Sequence, residues 1–325
     1  MDDIARKMHF GVDCLERITA GLNFILTHNL LNGHTCIPKD KLLKVAANML
    51  ECNTFRADEA CEELLNQEIF KNYCANGKDY IFLSDYFDAE CFIAQRIALL
   101  NSCFSSAKPV DEQEIEVIEA SIDIKYAALQ KQAISLAIEN GCFILTGGPG
   151  TGKTTTLRAI IKVMENRGME FALAAPTGRA AKRMTELTGY EAKTIHRLLE
   201  VEWSNESGKH TYARNEKNPL NFDAIIVDEL SMVDVLLFES ILRALRLGCR
   251  LILVGDSDQL PSVGAGNVLH DLLDSGVVSS ACLSEVFRQA KESLIVINAH
   301  NIVAGNFPEL DCNNNDFFLI EQQNP

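Results

Sequence analysis

The stretch CFILTGGPGTGKTT, from Cys142 to Thr155, decides how the rest of the chain is read. Cys142-Phe143-Ile144-Leu145 is a short, unbroken apolar run, the pattern of a strand buried on both faces. It empties into Gly147-Gly148-Pro149-Gly150-Thr151-Gly152-Lys153-Thr154, which fits G-x-x-x-x-G-K-[ST] without a mismatch. Glycines let successive backbone N–H groups curl around an anion where a Cβ would obstruct the approach. A helix beginning near Lys153 adds its positive dipole end. Gly148, Pro149, Gly150, Thr151, Gly152, Lys153, Thr154 and Thr155 are therefore expected to hold the phosphates of ATP, with Lys153 reaching the β/γ-phosphates and the Thr154 hydroxyl on Mg²⁺.

Downstream, apolar runs alternate with helical patterns, which predicts a parallel α/β sheet. Strands are expected at Phe143–Thr146, Phe171–Ala175, Ala224–Asp228 and Leu251–Val254, and helices over about 153–167, 178–188 and 233–246. One strand ends in Asp228-Glu229. Asp228 there suits the Mg²⁺ shell, and Glu229 suits proton abstraction from the attacking water. The next ends in Gly255-Asp256-Ser257-Asp258-Gln259, placing Gln259 as a sensor of the γ-phosphate. Gly264 and Gly266, a little further on, allow close approach of another backbone. Residues 200–219 are polar and read as a small inserted hairpin around Asn205-Glu206-Ser207-Gly208.

The net charge of −15 is unusual for a nucleic-acid protein, but its distribution is uneven. Residues 1–125 carry 12 Lys/Arg against 21 Asp/Glu, residues 126–282 carry 16 against 18, and residues 283–325 carry 2 against 6. The acidic excess lies mostly outside the P-loop region, so a local basic face there is compatible with the total. Eleven cysteines form no C-x-x-C pair, and Cys142, Cys249 and Cys282 sit in or beside apolar runs. That usage suggests buried free thiols in a reducing cytoplasm rather than zinc or disulfides. No apolar run approaches membrane-spanning length, and the start at Met1-Asp2-Asp3 is no basic-then-apolar leader.

The first 85 residues read differently. Helices are expected at 2–9, 13–31, 39–51 and 55–67, with His34–Pro38 as a short extended link. Ile69–Tyr73 and Tyr80–Leu83 flank Asn76-Gly77-Lys78-Asp79 as a β-hairpin. Helices and hairpin in this order suggest a winged-helix-like domain over 1–85. The helix at 55–67 carries Asp58, Glu59, Glu62 and Glu63 against Arg56 alone. Phosphate contact needs cations, so a structural role or a protein-contact surface is favoured over DNA reading. A helix over 86–104 and a polar, acidic linker at 105–119 complete this region, and the P-loop domain then occupies 120–282.

Six segments, GGPGTGKTTTL, AAPTGRAAKRM, TIHRLL, IIVDELSMVD, VGDSDQLPSVGAGNVL and FRQAKESLIVINAHNIVAGN, occur in that order. The set resembles superfamily 1 DNA helicases of the RecD-like group, which move 5′ to 3′, and the resemblance covers about 120–310. ERITAGLNFIL and the Gly33-His34-Thr35 segment resemble the part of that family that precedes the motor. The resemblance implies an ATP-dependent helicase acting in DNA recombination or repair in the cytoplasm. It implies that Gln130 reads adenine and that Arg288 approaches the γ-phosphate. It also implies that Pro176, Thr177, Gly178, Arg179, Thr194, His196, Arg197, Gly264 and Asn267 contact single-stranded DNA. Hydroxyls, helix N-termini and cations of this kind grip phosphates without reading sequence.

The family's motor has two RecA-like domains, and only the start of a second, at 283–325, is expected here, beginning a strand at Phe317-Phe318-Leu319-Ile320. The expectation is a fragment of a longer protein. Two other readings stay open: a module that binds ATP without useful hydrolysis, and the P-loop part of a DNA mobilisation (relaxase-helicase) protein.

Overall fold

A computed structural model describes residues 11, 14–104, 108–122, 124–203, 210–285, 293–310 and 316–317. The helix expected over 2–9, the hairpin turn at 204–209, Arg288 and residues 318–320 of the expected last strand lie outside the described residues. The chain divides into two compact units, Met1–Gln95 with Val233–Glu239 and Pro261–Val268, and Arg96–Met232 with Ser240–Leu260 and Leu269–Pro325.

In the first unit, helices α1 (Leu15–Leu31), α2 (Lys39–Leu50) and α3 (Thr54–Asn66) pack over a small antiparallel sheet of β1 (Cys36–Pro38), β2 (Phe70–Ala75) and β3 (Lys78–Leu83). The sheet order is β1-β3-β2, so the expected extended link at 34–38 is an edge strand, with Ile37 opposite Ile81. Asn76 and Gly77 both have positive φ, 52° and 73°. That pair closes a two-residue hairpin whose twist matches the strands. Ile18, Leu22 and Leu26 of α1 meet Leu42 and Ala46 of α2, Leu64 of α3 and Phe70 and Ile81 of the hairpin in one buried cluster. Each of the leucine, isoleucine and phenylalanine side chains contributes roughly 1.5–3 kcal/mol when fully buried.

Two downstream segments complete this unit. The Gly266 N–H donates to the Gly33 carbonyl at 3.0 Å. A Cβ on Gly264 would lie 2.2 Å from Asp234 Oδ2, and one on Gly266 2.2 Å from Val235 Cγ2. The close approach expected of these glycines is thus made to side chains of the chain's own Asp234 and Val235, with the backbone of Gly33 at Gly266 alone.

The second unit is built on a six-stranded parallel sheet of order β11-β4-β10-β9-β5-β6. Its strands are β4 (Cys142–Gly147), β5 (Phe171–Ala175), β6 (Ala192–Thr194), β9 (Ala224–Val227), β10 (Arg250–Gly255) and β11 (Ser279–Leu283). β4, β9 and all of β10 after Arg250 are buried throughout, which is why those stretches read as unbroken apolar runs. β6 and β11 have no such run. They are three and five residues long with partly exposed side chains, and periodicity did not reveal them. Alternation along β11 leaves Cys282 exposed, against the expected buried thiol, whereas Cys142 and Cys249 are buried. Burial pushes both of those thiols up to about 12.

Helices α4 (Ser84–Ser102), α5 (Glu112–Ile122), α6 (Ala128–Glu139), α7 (Lys153–Asn166), α8 (Gly178–Thr188), α9 (Ile195–Leu198), α10 (Val235–Ala244), α11 (Val268–Asp274) and α12 (Leu294–Val303) complete the described helices. The expected linker at 105–119 is corrected by α5. Ile115 and Ile118 enter the main core beside Ile134, Phe143 and Ile160, and helical spacing of isoleucines outweighs the acidic composition. Arg167, at the end of α7, holds this helix in place with two donors on Glu114, at 3.0 and 2.8 Å. β7 (Val201–Trp203) and β8 (His210–Tyr212) pair antiparallel within the inserted segment.

Candidate active site

Parallel strands put all their C-terminal ends on one edge, where open α/β sheets bind ligands. The loop after β4 begins there. Gly150 and Gly152 have φ of 76° and 85°, left-handed values that a side chain resists. The Thr151 hydroxyl closes the loop by donating to the Gly148 carbonyl at 2.8 Å. Lys153, first residue of α7, folds back so that its ammonium donates to the carbonyls of Gly147 and, at 3.0 Å, Gly148.

The neighbouring strands bring acids to the same place. Gly255 of β10 is in register with Thr146 of β4, so the next residue, Asp256, faces Lys153 with its Oδ2 3.9 Å from Nζ. One strand further, β9 ends at Val227. Asp228 then donates its N–H to the Ala174 carbonyl of β5 at 2.9 Å and accepts the Glu229 N–H at 2.9 Å. Glu229 itself stands at φ 55°, an uncommon conformation that turns the chain into a short 3₁₀ segment, Leu230–Met232.

These groups line one cleft of about 590 Å³ with Gly148–Thr155, Arg183, Asp258 and Gln259. Burial lowers the Lys153 pKa, opposed by Asp256, Asp228 and Glu229. Burial raises Asp228, and it raises Glu229, to which the Asp228 charge adds. The Arg183 charge works the other way on both carboxylates. The Ser231 hydroxyl donates to Gln259 Oε1 at 3.3 Å, which fixes the amide at the cleft edge.

Residues 130–265 match the family described as an AAA domain. The ATP-dependent RecD2 DNA helicase of Deinococcus radiodurans is 43% identical over 165 residues, covering 51% of this chain and 22% of that protein. The RecBCD enzyme subunit RecD of Mycolicibacterium smegmatis is 40% identical over 168 residues, 45% of this chain and 30% of that protein. The matched segment is RecD-like. The chain spans less than a third of the length of either relative. The crystal structure of Pif1 helicase from Candida albicans aligns with a TM-score of 0.43 at 24% identity, over 59% of this chain and 50% of that one.

The RecD-like segment fits a magnesium nucleotide by its donor set. The Thr154 hydroxyl and the Asp228 carboxylate line the same cleft, and Mg²⁺ is held by oxygen, commonly with one or two carboxylates beside substrate phosphates. No group of three His, Cys, Asp or Glu among the described residues could hold a metal alone. Gln130 is buried in the first turn of α6, where its Oε1 accepts the Ala127 N–H at 3.0 Å. Its Nε2 is buried without a partner, an open donor that an incoming acceptor would satisfy. Gln130 does not line the phosphate cleft.

The residues expected on DNA divide into two sets. Ala175 of β5 and Thr194 of β6 are in register, so the turns Pro176–Arg179 and Thr194–Arg197 leave the sheet side by side. Thr177 and Thr194 cap α8 and α9, accepting the N–H of Ala180 at 3.2 Å and of Arg197 at 3.3 Å. Gly178, Arg179, His196 and Arg197 are exposed, while Pro176 is half-buried. Gly264 and Asn267 belong to the other compact unit.

Asp256, Arg183 and His300 line the cleft without a nucleotide role read from the sequence. Asp256 was legible, because it ends the strand beside the P-loop strand. Arg183 shares a helix face with Ala180 and Leu187, at i, i+3 and i+7, and all three line the cleft. His300 of α12 had no signal short of the fold.

Proposed function

We propose that this chain carries a winged-helix-like region and the first motor domain of an ATP-dependent DNA helicase of the RecD-like group. In this reading it binds and hydrolyses ATP and grips single-stranded DNA. The observation that supports it is the convergence of Lys153, Asp228, Glu229, Asp256, Gln259 and Arg183 on one P-loop cleft.

The P-loop N–H groups and Lys153 receive the β- and γ-phosphates, for which the ammonium leaves the carbonyls of its own loop. Thr154 and Asp228 hold Mg²⁺, which neutralises charge on the phosphate oxygens. Glu229 accepts the proton of the attacking water. Burial makes it a stronger base than an exposed glutamate, and general bases work best when their pKa approaches the working pH. Gln259, oriented by Ser231, senses the γ-phosphate. Gln130 offers its free Nε2 donor to the adenine.

Arg288, from beyond β11, is the proposed cation toward the γ-phosphate. Pro176–Arg179 and Thr194–Arg197 supply capped helix starts and exposed guanidinium groups for the DNA backbone. Gly264 and Asn267 are proposed as further DNA contacts, and a role in recombination or repair follows from the same reading. No helix among the described residues is long and apolar enough to cross a membrane, and a cytoplasmic location is part of the proposal.

The test is the ATPase rate with and without single-stranded DNA, beside fluorescent-ATP binding. Stimulation by DNA supports the helicase reading, binding without stimulated turnover favours a nucleotide-binding module, and no binding overturns it.

A further inference from the structure

Helix α12 is the last described helix of the second unit and belongs to the motif FRQAKESLIVINAHNIVAGN, of which only Arg288 has been given a role. Its placement is fixed by polar anchors. Asp316 accepts the Ser293 hydroxyl at 2.5 Å and the Leu294 N–H at 2.8 Å at the helix start. The Ser293 hydroxyl in turn accepts the Val296 N–H at 3.3 Å. In the middle, the buried Asn298 exchanges two hydrogen bonds with the Glu309 backbone, at 2.9 and 2.7 Å. Together these set the rotation of α12 about its axis.

With Asn298 turned inward to Glu309, the face at Ala299, His300 and Val303 lines the P-loop cleft. The His300 Nε2 stands 3.3 Å from the Pro149 carbonyl oxygen. A carbonyl only accepts, so the imidazole carries its proton on Nε2 and donates. The ring also covers Gly148, where an added Cβ would fall 2.8 Å from its Cε1. His300 therefore bonds one residue of the phosphate loop and packs on the residue before it.

We infer that His300 is a positioning residue of the nucleotide site, holding the Gly148-Pro149 segment of the P-loop in its phosphate-receiving curve from α12. The inference rests on the nucleotide-binding reading above. A P-loop binds through N–H groups whose directions follow from its backbone dihedrals. Pro149 has no N–H of its own, so its carbonyl is the handle by which the peptide plane before Gly150 is steered. Held in this way, the Gly150 N–H points where the loop curls. Released, the loop loses order that must be recovered on binding, and affinity falls by the population of the competent form.

The experiment compares fluorescent Mg-ATP binding by wild type, His300→Phe and His300→Gln, with thermal midpoints measured in parallel. Phenylalanine keeps a ring over Gly148 and removes the donor, while glutamine restores an N–H near the Nε2 position. Phe should weaken binding roughly 3- to 10-fold, the worth of one hydrogen bond. Gln should recover most of that loss, with midpoints unchanged because the residue is partly exposed. Wild-type affinity in His300→Phe would overturn the inference, and so would an equal loss in both variants, because a restored donor would then restore nothing. Failure of the folded wild type to bind Mg-ATP would instead overturn the nucleotide reading itself, so the two failures are distinguishable.

Discussion

The P-loop cleft and the first unit both crowd carboxylates around cations, yet they do so to different ends. In the cleft, Asp228, Glu229 and Asp256 outnumber Lys153 and Arg183, and burial holds Asp228 and Glu229 above, and Lys153 below, their ordinary values. In the first unit Lys39 lies 2.8 Å from Asp58 and 2.7 Å from Glu62, a surface cluster in which one cation is clasped directly by two carboxylates. Burial opposes the Lys39 charge, but the two carboxylates prevail and hold it above the usual lysine range. The first arrangement leaves charge unsatisfied until a ligand arrives. The second already pairs its cation at short range. Displaced ionisation inside a cleft marks a site, whereas the same residue types paired on a surface mark solubility and shape.

The largest effect is expected at Lys153. Lys153→Ala should abolish most Mg-ATP affinity, by a factor on the order of 100 or more, since charge-assisted bonds to phosphate are worth about twice ordinary ones and several are lost together. The fold should persist, because the side chain bonds carbonyls of its own loop and beyond them makes only the 3.9 Å ion pair with Asp256. Equal binding of fluorescent ATP by this variant would refute the phosphate assignment.

Glu229→Gln should separate binding from turnover. Loss of a general base lowers the hydrolysis rate about 10²- to 10⁴-fold while nucleotide still binds. The same change should raise the thermal midpoint of the nucleotide-free protein. The sign follows from linkage: a carboxyl whose folded pKa is raised destabilises the fold as pH climbs from its unfolded value through its folded one. Wild-type stability should accordingly fall across that window, and Glu229→Gln should flatten the fall. A midpoint that drops, or a rate that does not, would place Glu229 outside the cleft chemistry.

What was legible follows the same division. Lys153, Asp228 and Glu229 stood out because a P-loop and an acid-ended strand have local signatures, and buried strands such as β4, β9 and β10 have continuous apolar runs. β6 and β11 did not, since short edge strands carry partly exposed side chains and lean on neighbours for definition. The acidic stretch before Tyr126 was misread because charge outweighed Ile115, Ile118 and Ile122, which at spacings of three and four make one face of α5. Arg183 and His300 needed three dimensions. A helix face can be guessed from spacing, but which cleft it meets depends on sheet order, and the Asn298 anchor that turns α12 has no local mark.

A moderate effect is expected where the RecD-like segment exposes cations. Arg179→Ala with Arg197→Ala should weaken single-strand binding and reduce its salt slope by about 1.4, since each phosphate contact on a single strand contributes about 0.7. Both side chains are exposed and neither caps a helix, so stability should not change. An unchanged slope would mean that the turns after β5 and β6 face solvent and nothing else.

The smallest effect is expected in the first unit. The hairpin cannot simply be removed to test it, because Phe70, Ile81 and Phe82 are buried and β3 pairs with β1. Substitution at its surface avoids that difficulty. Lys71 lies 3.6 Å from Glu68, and Arg56 on α3 lies 2.6 Å from Glu59, so each cation has a carboxylate beside it. A cation already neutralised releases few counterions on meeting a phosphate, and counterion release is what drives sequence-independent binding. Lys71→Ala should therefore leave both the affinity for single-stranded DNA and its salt slope within about twofold and 0.3 of wild type. A slope that fell by about 0.7 would show that this cation of the hairpin grips phosphate as those of the turns after β5 and β6 are expected to, and the contrast between the two regions would then lie in placement rather than in charge.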